Sequence, residues 1–348
     1  MIGIVLLEEN MIHSFKNDYS AIGHKKVLEK LIEAANEQND GYFTDNHTKN
    51  AIRLIQEKLG KNSDIYFVSG GTLTNNLAIS SVLRPYEAVI CAKTGHINVH
   101  ETGIVEGNGH KILTIEGNNG KIVLSEIDTI LKNHMPVHTV LPKMVYISLS
   151  TELGSVYERE ELIEIYNYCK KHNLYLYLDG ARLASGMAST SITFNDLANY
   201  TDMFYIGLTK CGGPLGEALV INNKELAINF DYAQKRFGAL LAKGFVVAIP
   251  FEVLMEDDIY LNMGKKENEL AMYLCNEMKK LGYKFYSDSK TNQIFPIVSK
   301  ELFKILEDRY GVELWEVIDS NTVVIRFVVG FETNLQDCVE VIDFLKMA

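Results

Sequence analysis

The chain has 348 residues, 47% of them hydrophobic, and a formal net charge of -11. That is enough apolar material for a large core in one or two domains, and the acidity, with no Lys/Arg run interleaved with aromatics, excludes a nucleic-acid surface. The five cysteines, Cys91, Cys169, Cys211, Cys275 and Cys338, are odd in number, widely spaced and free of any C-x-x-C pair. They fit neither a disulfide framework nor a zinc site, so a reducing, cytoplasmic compartment and no metal are expected.

The opening MIGIVLLEEN carries a short apolar run at residues 2–7 with no basic lead and two glutamates behind it, which argues against a signal peptide. No stretch reaches the apolar length of a membrane span. HKKVLEKLIEAAN then places Val27, Leu28, Leu31 and Ile32 on one helical face, and TKNAIRLIQEKLG repeats the pattern and stops at Gly60. From residue 64 the period changes. DIYFVSGG is a short apolar run closed by paired glycines, and TLTNNLAISSVL after it reads as a helix.

Further continuous apolar runs follow at 88–92, 111–115, 143–149, 174–179, 203–208 and 217–221, separated by helical stretches such as EREELIEIYNYCKKH. Runs of this kind predict a mostly parallel sheet covered on both faces. Residues 1–250 therefore read as one large α/β domain. Beyond it, the helix KKENELAMYLCNEMKKLG, the runs YKFYS and QIFPIVS, the helix KELFKILEDRYG, the run TVVIRFVVG and the helix LQDCVEVIDFLK predict a smaller α+β domain over 251–348.

Three strand ends carry chemistry. Lys210 closes an apolar run just before Cys-Gly-Gly-Pro; lysine forms Schiff bases best where burial lowers its pKa, although a strand-end lysine snorkelling to water is the ordinary alternative. Asp179 ends LYLYLD, where carboxylates of parallel strands face the ligand crevice, although it could equally cap a helix. Gly71 and Thr72 in VSGGTLTNN open a helix whose free N–H groups suit a phosphate. No G-x-G-x-x-G follows a strand there, which argues against a dinucleotide site.

In combination these stretches, with HINVHETG, STELGSVY, LYLDGARL, TKCGGPLGEALV and VVIRFV, resemble the threonine aldolase and β-eliminating lyase family of pyridoxal phosphate (PLP) enzymes over about residues 14–335. The resemblance implies the PLP-dependent transferase fold of the aspartate-aminotransferase type. It also implies an aldolase that cleaves a β-hydroxy-α-amino acid, threonine or allo-threonine, to glycine and an aldehyde, with a β-eliminating lyase as the alternative.

Residue by residue, the resemblance makes Lys210 the covalent anchor of the cofactor and Asp179 the partner of the pyridine nitrogen. Gly71, Thr72 and the Thr209 hydroxyl match the phosphate cradle, and His96 matches the histidine stacked on the ring, where it is also a catalytic candidate able to take or give a proton and the alternative to Glu152 as base. Glu101 matches an acidic residue of the same motif; His100 has no matched role and reads as structural. Arg182 and Arg326 match the arginines that hold the substrate carboxylate. Asn17 stands where many members carry a serine touching that carboxylate, and Phe43, next to Tyr42, where an aromatic lines the site.

Glu152 stands where many aldolases have a histidine cast as base for the substrate hydroxyl; a buried carboxylate can serve as a general base. Lys243, in QKRFGALLAKG, matches a segment reaching toward the neighbouring subunit's phosphate, with a solvated helix lysine as the alternative. That contact would make the protein a homodimer or homotetramer with shared active sites.

Overall fold

The computed structural model describes residues 13–347, so the reading of the first ten residues lies outside the described residues. The apolar runs become the strands of a seven-stranded sheet: β1 (Asp64–Val68), β2 (Glu87–Ala92), β3 (Lys111–Ile115), β4 (Leu141–Ser148), β5 (Tyr175–Asp179), β6 (Met203–Gly207) and β7 (Glu217–Ile221), in the order β1-β7-β6-β5-β4-β2-β3. Neighbours from β6 through β5, β4 and β2 to β3 are parallel, while β7 is antiparallel to both β1 and β6. The carboxyl ends of β1, β2, β4, β5 and β6 therefore share one edge with the amino end of β7.

Strand residues alternate between two cores, as the pleat requires. Ile90, Val145, Ile147, Leu178 and Ile206 pack on one face with Ala51, Ile55 and Leu59 of the helix Asn46–Leu59 and with Val247 and Phe251 of the helix Phe245–Leu254. Val89, Met144, Tyr146, Tyr177 and Tyr205 pack on the other with Leu77, Ala78 and Ile79 of the helix Gly71–Val82. The helix Asn46–Leu59 starts on an Asp45 side chain accepting the Thr48 N–H at 2.8 Å and ends on Gly60 at φ 62°, a left-handed residue that glycine supplies without strain. Gly180 answers a different need: a Cβ there would collide with the Tyr205 backbone oxygen, so glycine lets β5 leave the sheet against β6.

The second sheet is antiparallel. It comprises β8 (Lys284–Phe285), β9 (Gln293–Ile294), β10 (Pro296–Ser299), β11 (Glu313–Val317) and β12 (Thr322–Val328), ordered β11-β12-β10-β8 with β9 also on β12. Its core joins Ile325 and Phe327 to Leu274 and Met278 of the long helix Ile259–Lys280 and to Val341 of the helix Leu335–Met347. Phe15 belongs to this core too: its N–H reaches Tyr310 O at 2.8 Å and its carbonyl accepts the Val328 N–H at 2.9 Å.

Three details differ from the sequence reading. The run QIFPIVS divides at Phe295 into β9 and β10, YKFYS contributes only two strand residues, and β11 was not anticipated because it is an edge strand with Leu314, Glu316 and Val317 exposed. Among the described residues no helix is long and apolar enough to cross a membrane, and all five cysteines are buried and free.

Candidate active site

A cavity of about 380 Å³ opens at the shared sheet edge, and it collects Gly71, Thr72, His96, Glu152, Asp179, Arg182, Thr209 and Lys210. A larger, more open hollow of about 570 Å³ between Met187, Phe194 and Leu261 holds none of these, so volume alone does not mark the chemistry.

Asp179, the last residue of β5, is 3% exposed. Its Oδ2 accepts Tyr146 Oη at 2.6 Å and Asn75 Nδ2 at 2.9 Å, and its Oδ1 accepts the Ala181 N–H at 2.9 Å. Burial alone would raise this carboxyl. The His96 imidazole and hydrogen bonds from Tyr146, Tyr205 and Asn75 outweigh burial and hold it below the ordinary carboxylate range.

The Asn75 amide is shared, for Nδ2 also donates to Glu101 Oε1 at 2.8 Å while Oδ1 accepts Tyr177 Oη at 2.8 Å. Glu101 Oε1 in turn lies 2.9 Å from His96 Nδ1. With a carboxylate as partner, Nδ1 carries the proton, and Glu101 thereby fixes the ring's orientation.

Lys210 follows β6 on a loop closed by Gly213 N–H to Leu208 O at 2.8 Å and Leu208 N–H to Gly216 O at 3.0 Å. Its amine has no hydrogen-bond or ion-pair partner among the described residues. Burial, then the Arg182 guanidinium, push it below the usual lysine range against the pull of Asp18, Asp179 and Glu217. A lowered pKa raises the share of free amine, the form that attacks a carbonyl.

Glu152 is folded back under β4. Its Oε1 accepts Ser148 Oγ at 2.7 Å and the His96 backbone N–H at 3.1 Å, and burial raises its carboxyl despite those bonds. Arg182 is held by Asp18, with Nε to Oδ2 at 2.6 Å and Nη2 to Oδ1 at 3.0 Å, while Asn292 Nδ2 braces the same Oδ2 at 3.0 Å. Nη1 of Arg182 makes no hydrogen bond among the described residues, so one arm of the fork is free at a cavity wall.

Five expected residues stand outside this cavity's lining, among them Glu101, which meets it through its contacts with His96 and Asn75. Arg326 pairs across strands with Glu313, gives Nη1 to Gln293 Oε1 at 3.2 Å and lies over the Trp315 ring. Asn17 spends its Oδ1 on the Tyr19 N–H at 3.0 Å and Ser20 Oγ at 2.9 Å, closing a turn. Phe43 packs against Phe67, and Lys243 is exposed on the turn before the helix Phe245–Leu254, not on a helix.

The cavity also recruits residues the sequence did not single out. His100, read as structural, lines it with its ring 5.4 Å from that of His96, and burial pushes its imidazole down. Tyr19, Asn75, Tyr205 and Glu217 line it as well. Asp18 was adjacent to a suspected residue, and a buried acid opposite an expected arginine was the available signal.

The family model for β-eliminating lyases matches residues 15–301. A low-specificity L-threonine aldolase of Pseudomonas sp. is 30% identical over 87% of this chain and 88% of its own length. The structure of a threonine aldolase from Leishmania major superposes with a TM-score of 0.95 at 41% identity, covering 96% of this chain and 99% of that one. A Sphingomonas wittichii serine palmitoyltransferase, 13% identical, shares the fold with a TM-score of 0.74 over 97% of this chain and 86% of its own.

Proposed function

Because this chain belongs to the β-eliminating lyase family, we propose that it is a PLP-dependent carbon–carbon lyase cleaving threonine or allo-threonine to glycine and acetaldehyde. The observation that carries this is the half-buried amine of Lys210, unpaired among the described residues, lining the same cavity as the carboxylate of Asp179.

The residues present fit PLP. Lys210 would anchor it covalently, Asp179 would face the ring nitrogen, and His96 would cover the ring. The Gly71 corner, where the helix Gly71–Val82 starts with no side-chain cap beside Thr72 and Thr209, would take the phosphate. When bound, the cofactor supplies a protonated pyridine ring that takes up the electron pair released as the Cα–Cβ bond breaks.

The chain does the rest. Asp179, kept charged by His96 and its hydrogen-bond donors, would hold a proton on the ring nitrogen. The free Nη1 of Arg182 binds the substrate carboxylate, with Asp18 fixing its plane. Glu152, whose carboxyl is raised by burial, takes the β-hydroxyl proton as the aldehyde leaves. The Lys210 amine, lining the same cavity, would return a proton at Cα.

The working unit is a homodimer or homotetramer with shared sites. Among the described residues the only Lys or Arg side chains lining the cavity are Lys210 and Arg182, while Lys243 stands exposed for a neighbour.

The test is incubation of the PLP-loaded protein with L-threonine, L-allo-threonine, D-threonine and L-serine, measuring acetaldehyde and glycine beside 2-oxo acid and ammonia, with Lys210→Ala as the blank. Equal amounts of acetaldehyde and glycine are expected. Dominant 2-oxo acid with no aldehyde would overturn the aldolase reading in favour of β-elimination and remove the role given to Glu152.

A further inference from the structure

The mechanism above leaves one buried acid of the cavity unused. Glu217 opens β7, and because β7 runs against its neighbours its first residue lies at the same sheet edge as Asp179 and Lys210. The side chain is 3% exposed, and its Oε2 accepts the Leu208 N–H at 3.1 Å. Its Oε1 lies 4.0 Å from where a Cβ on Gly71 would stand, so it faces the uncapped start of the helix Gly71–Val82. The Thr209 hydroxyl, which accepts the Gly216 N–H at 3.1 Å, borders the same corner.

An anion cradle with a carboxyl in its wall is a conflict. A phosphate monoester is a dianion above about pH 7, and two like charges in one desolvated corner do not both persist. The conflict disappears if the carboxyl is neutral, since an O–H can then donate to a phosphate oxygen.

We propose that Glu217 binds the phosphate of the cofactor as a neutral acid, donating its O–H to a phosphate oxygen, so that affinity for the phosphomonoester group falls as Glu217 ionises. The proposal rests on the cofactor reading given above.

The surroundings agree with it. Burial pushes the Glu217 carboxyl up to about 8, against the lowering pull of Thr209, Lys210 and the Leu208 N–H. The titratable groups facing it are Lys210, Asp179, Tyr177, Tyr205, Cys211 and Tyr260. Burial holds the three tyrosines and the cysteine well above their ordinary range, so they stay neutral near pH 8. Asp179 stays charged throughout, which leaves Lys210 as the one other group to separate from Glu217.

Pyridoxal provides the separation, because it engages Lys210 as PLP does but lacks the phosphate. The full-length protein is stripped of cofactor, and the dissociation constants of PLP and pyridoxal are measured by visible absorbance from pH 7 to pH 9, for the parent and for Glu217→Gln. With an ionisation near 8, the advantage of PLP over pyridoxal is expected to shrink about tenfold across that range in the parent. It should stay level in Glu217→Gln. A level ratio in the parent, or a parental slope in Glu217→Gln, overturns the proposal while the cofactor reading stands. If neither aldehyde gives an absorbance that Lys210→Ala removes, the cofactor reading itself fails and takes the proposal with it.

Discussion

Asp179 and Glu217 are carboxylates with the same 3% exposure at one sheet edge, yet their ionisation moves in opposite directions. The difference lies in the neighbouring charge and the donors. Asp179 faces the opposite charge of His96 and collects Tyr146 and Asn75 as donors, and together these hold it below the ordinary range that burial would raise it from. Glu217 has the Leu208 N–H and the Thr209 hydroxyl, and burial prevails. Burial sets the cost of a charge, and nearby opposite charge together with hydrogen bonds to the charged form decides whether the charge survives.

The strongest way to break this contrast is to neutralise the charged member. Asp179→Asn keeps the shape and removes the anion proposed to hold a proton on the cofactor's ring nitrogen. Its kcat should fall about 10²–10³-fold, the scale of losing one preorganised electrostatic group, with its near-ultraviolet and visible cofactor bands shifted. Unchanged turnover would detach Asp179 from the chemistry.

A milder change removes one donor and leaves the acid. Tyr146→Phe takes away the 2.6 Å bond, and a hydrogen bond to a charged group contributes about 1.5–3 kcal/mol. The Asp179 pKa then rises toward where burial alone would put it. At pH 8 the loss should stay within a few-fold, and the acid limb of the kcat/KM profile should move to higher pH. An acid limb that stays in place would show that Tyr146 only fills space.

The other carboxyl answers through stability. The folded pKa of Glu217, about 8, lies above its ordinary 4.5. The folded chain therefore holds a proton that the unfolded chain has lost between those values. The associated stability is fully present below pH 4.5 and disappears as pH rises through about 8, on the order of a few kcal/mol. The cofactor-free parent should lose Tm over that window, and Glu217→Gln should lose less of it. Parallel Tm curves would mean that Glu217 is already ionised at neutral pH.

Much of this contrast was legible from one end only. Asp179 and Lys210 end continuous apolar runs, and a charge in that place is a local signal that one pass along the sequence detects. Glu217 starts its run, and its meaning depends on β7 being antiparallel, which no local pattern encodes. Asp18 and Asn75 matter through partners 164 and 104 residues away, Arg182 and Asp179 respectively. The parallel sheet could be read because buried strands are continuously apolar, whereas β11 could not, because an exposed edge strand lacks that signature. Arg326 shows the converse limit: its place on a strand was readable, but its pairing with Glu313 depends on the register of β11 with β12.

The same donor-and-acceptor rule, with its sign reversed, gives the smallest expected effect. His47 sits at the start of the helix Asn46–Leu59 between two carboxylates, Nδ1 to Glu252 Oε2 and Nε2 to Glu37 Oε2, each at 2.7 Å. Burial would lower its pKa; the hydrogen bonds and charges of Glu252 and Glu37 outweigh burial and raise it. A base with two acceptors keeps its proton, as an acid with several donors loses one. Because the folded pKa lies above the ordinary 6.5, the stability it adds is complete below pH 6.5 and is lost as pH rises through the folded value. His47→Gln should therefore lower Tm by roughly 1–3 °C at pH 6 and by less at pH 8.5, measured by calorimetry on the cofactor-loaded protein. The pH dependence is the informative part, since a deficit equal at both pH values would make the imidazole neutral and reduce its role to packing. Glu252 would then bind the helix Phe245–Leu254 to the helix Asn46–Leu59 mainly through Asn50 Nδ2, which reaches its other oxygen at 2.7 Å.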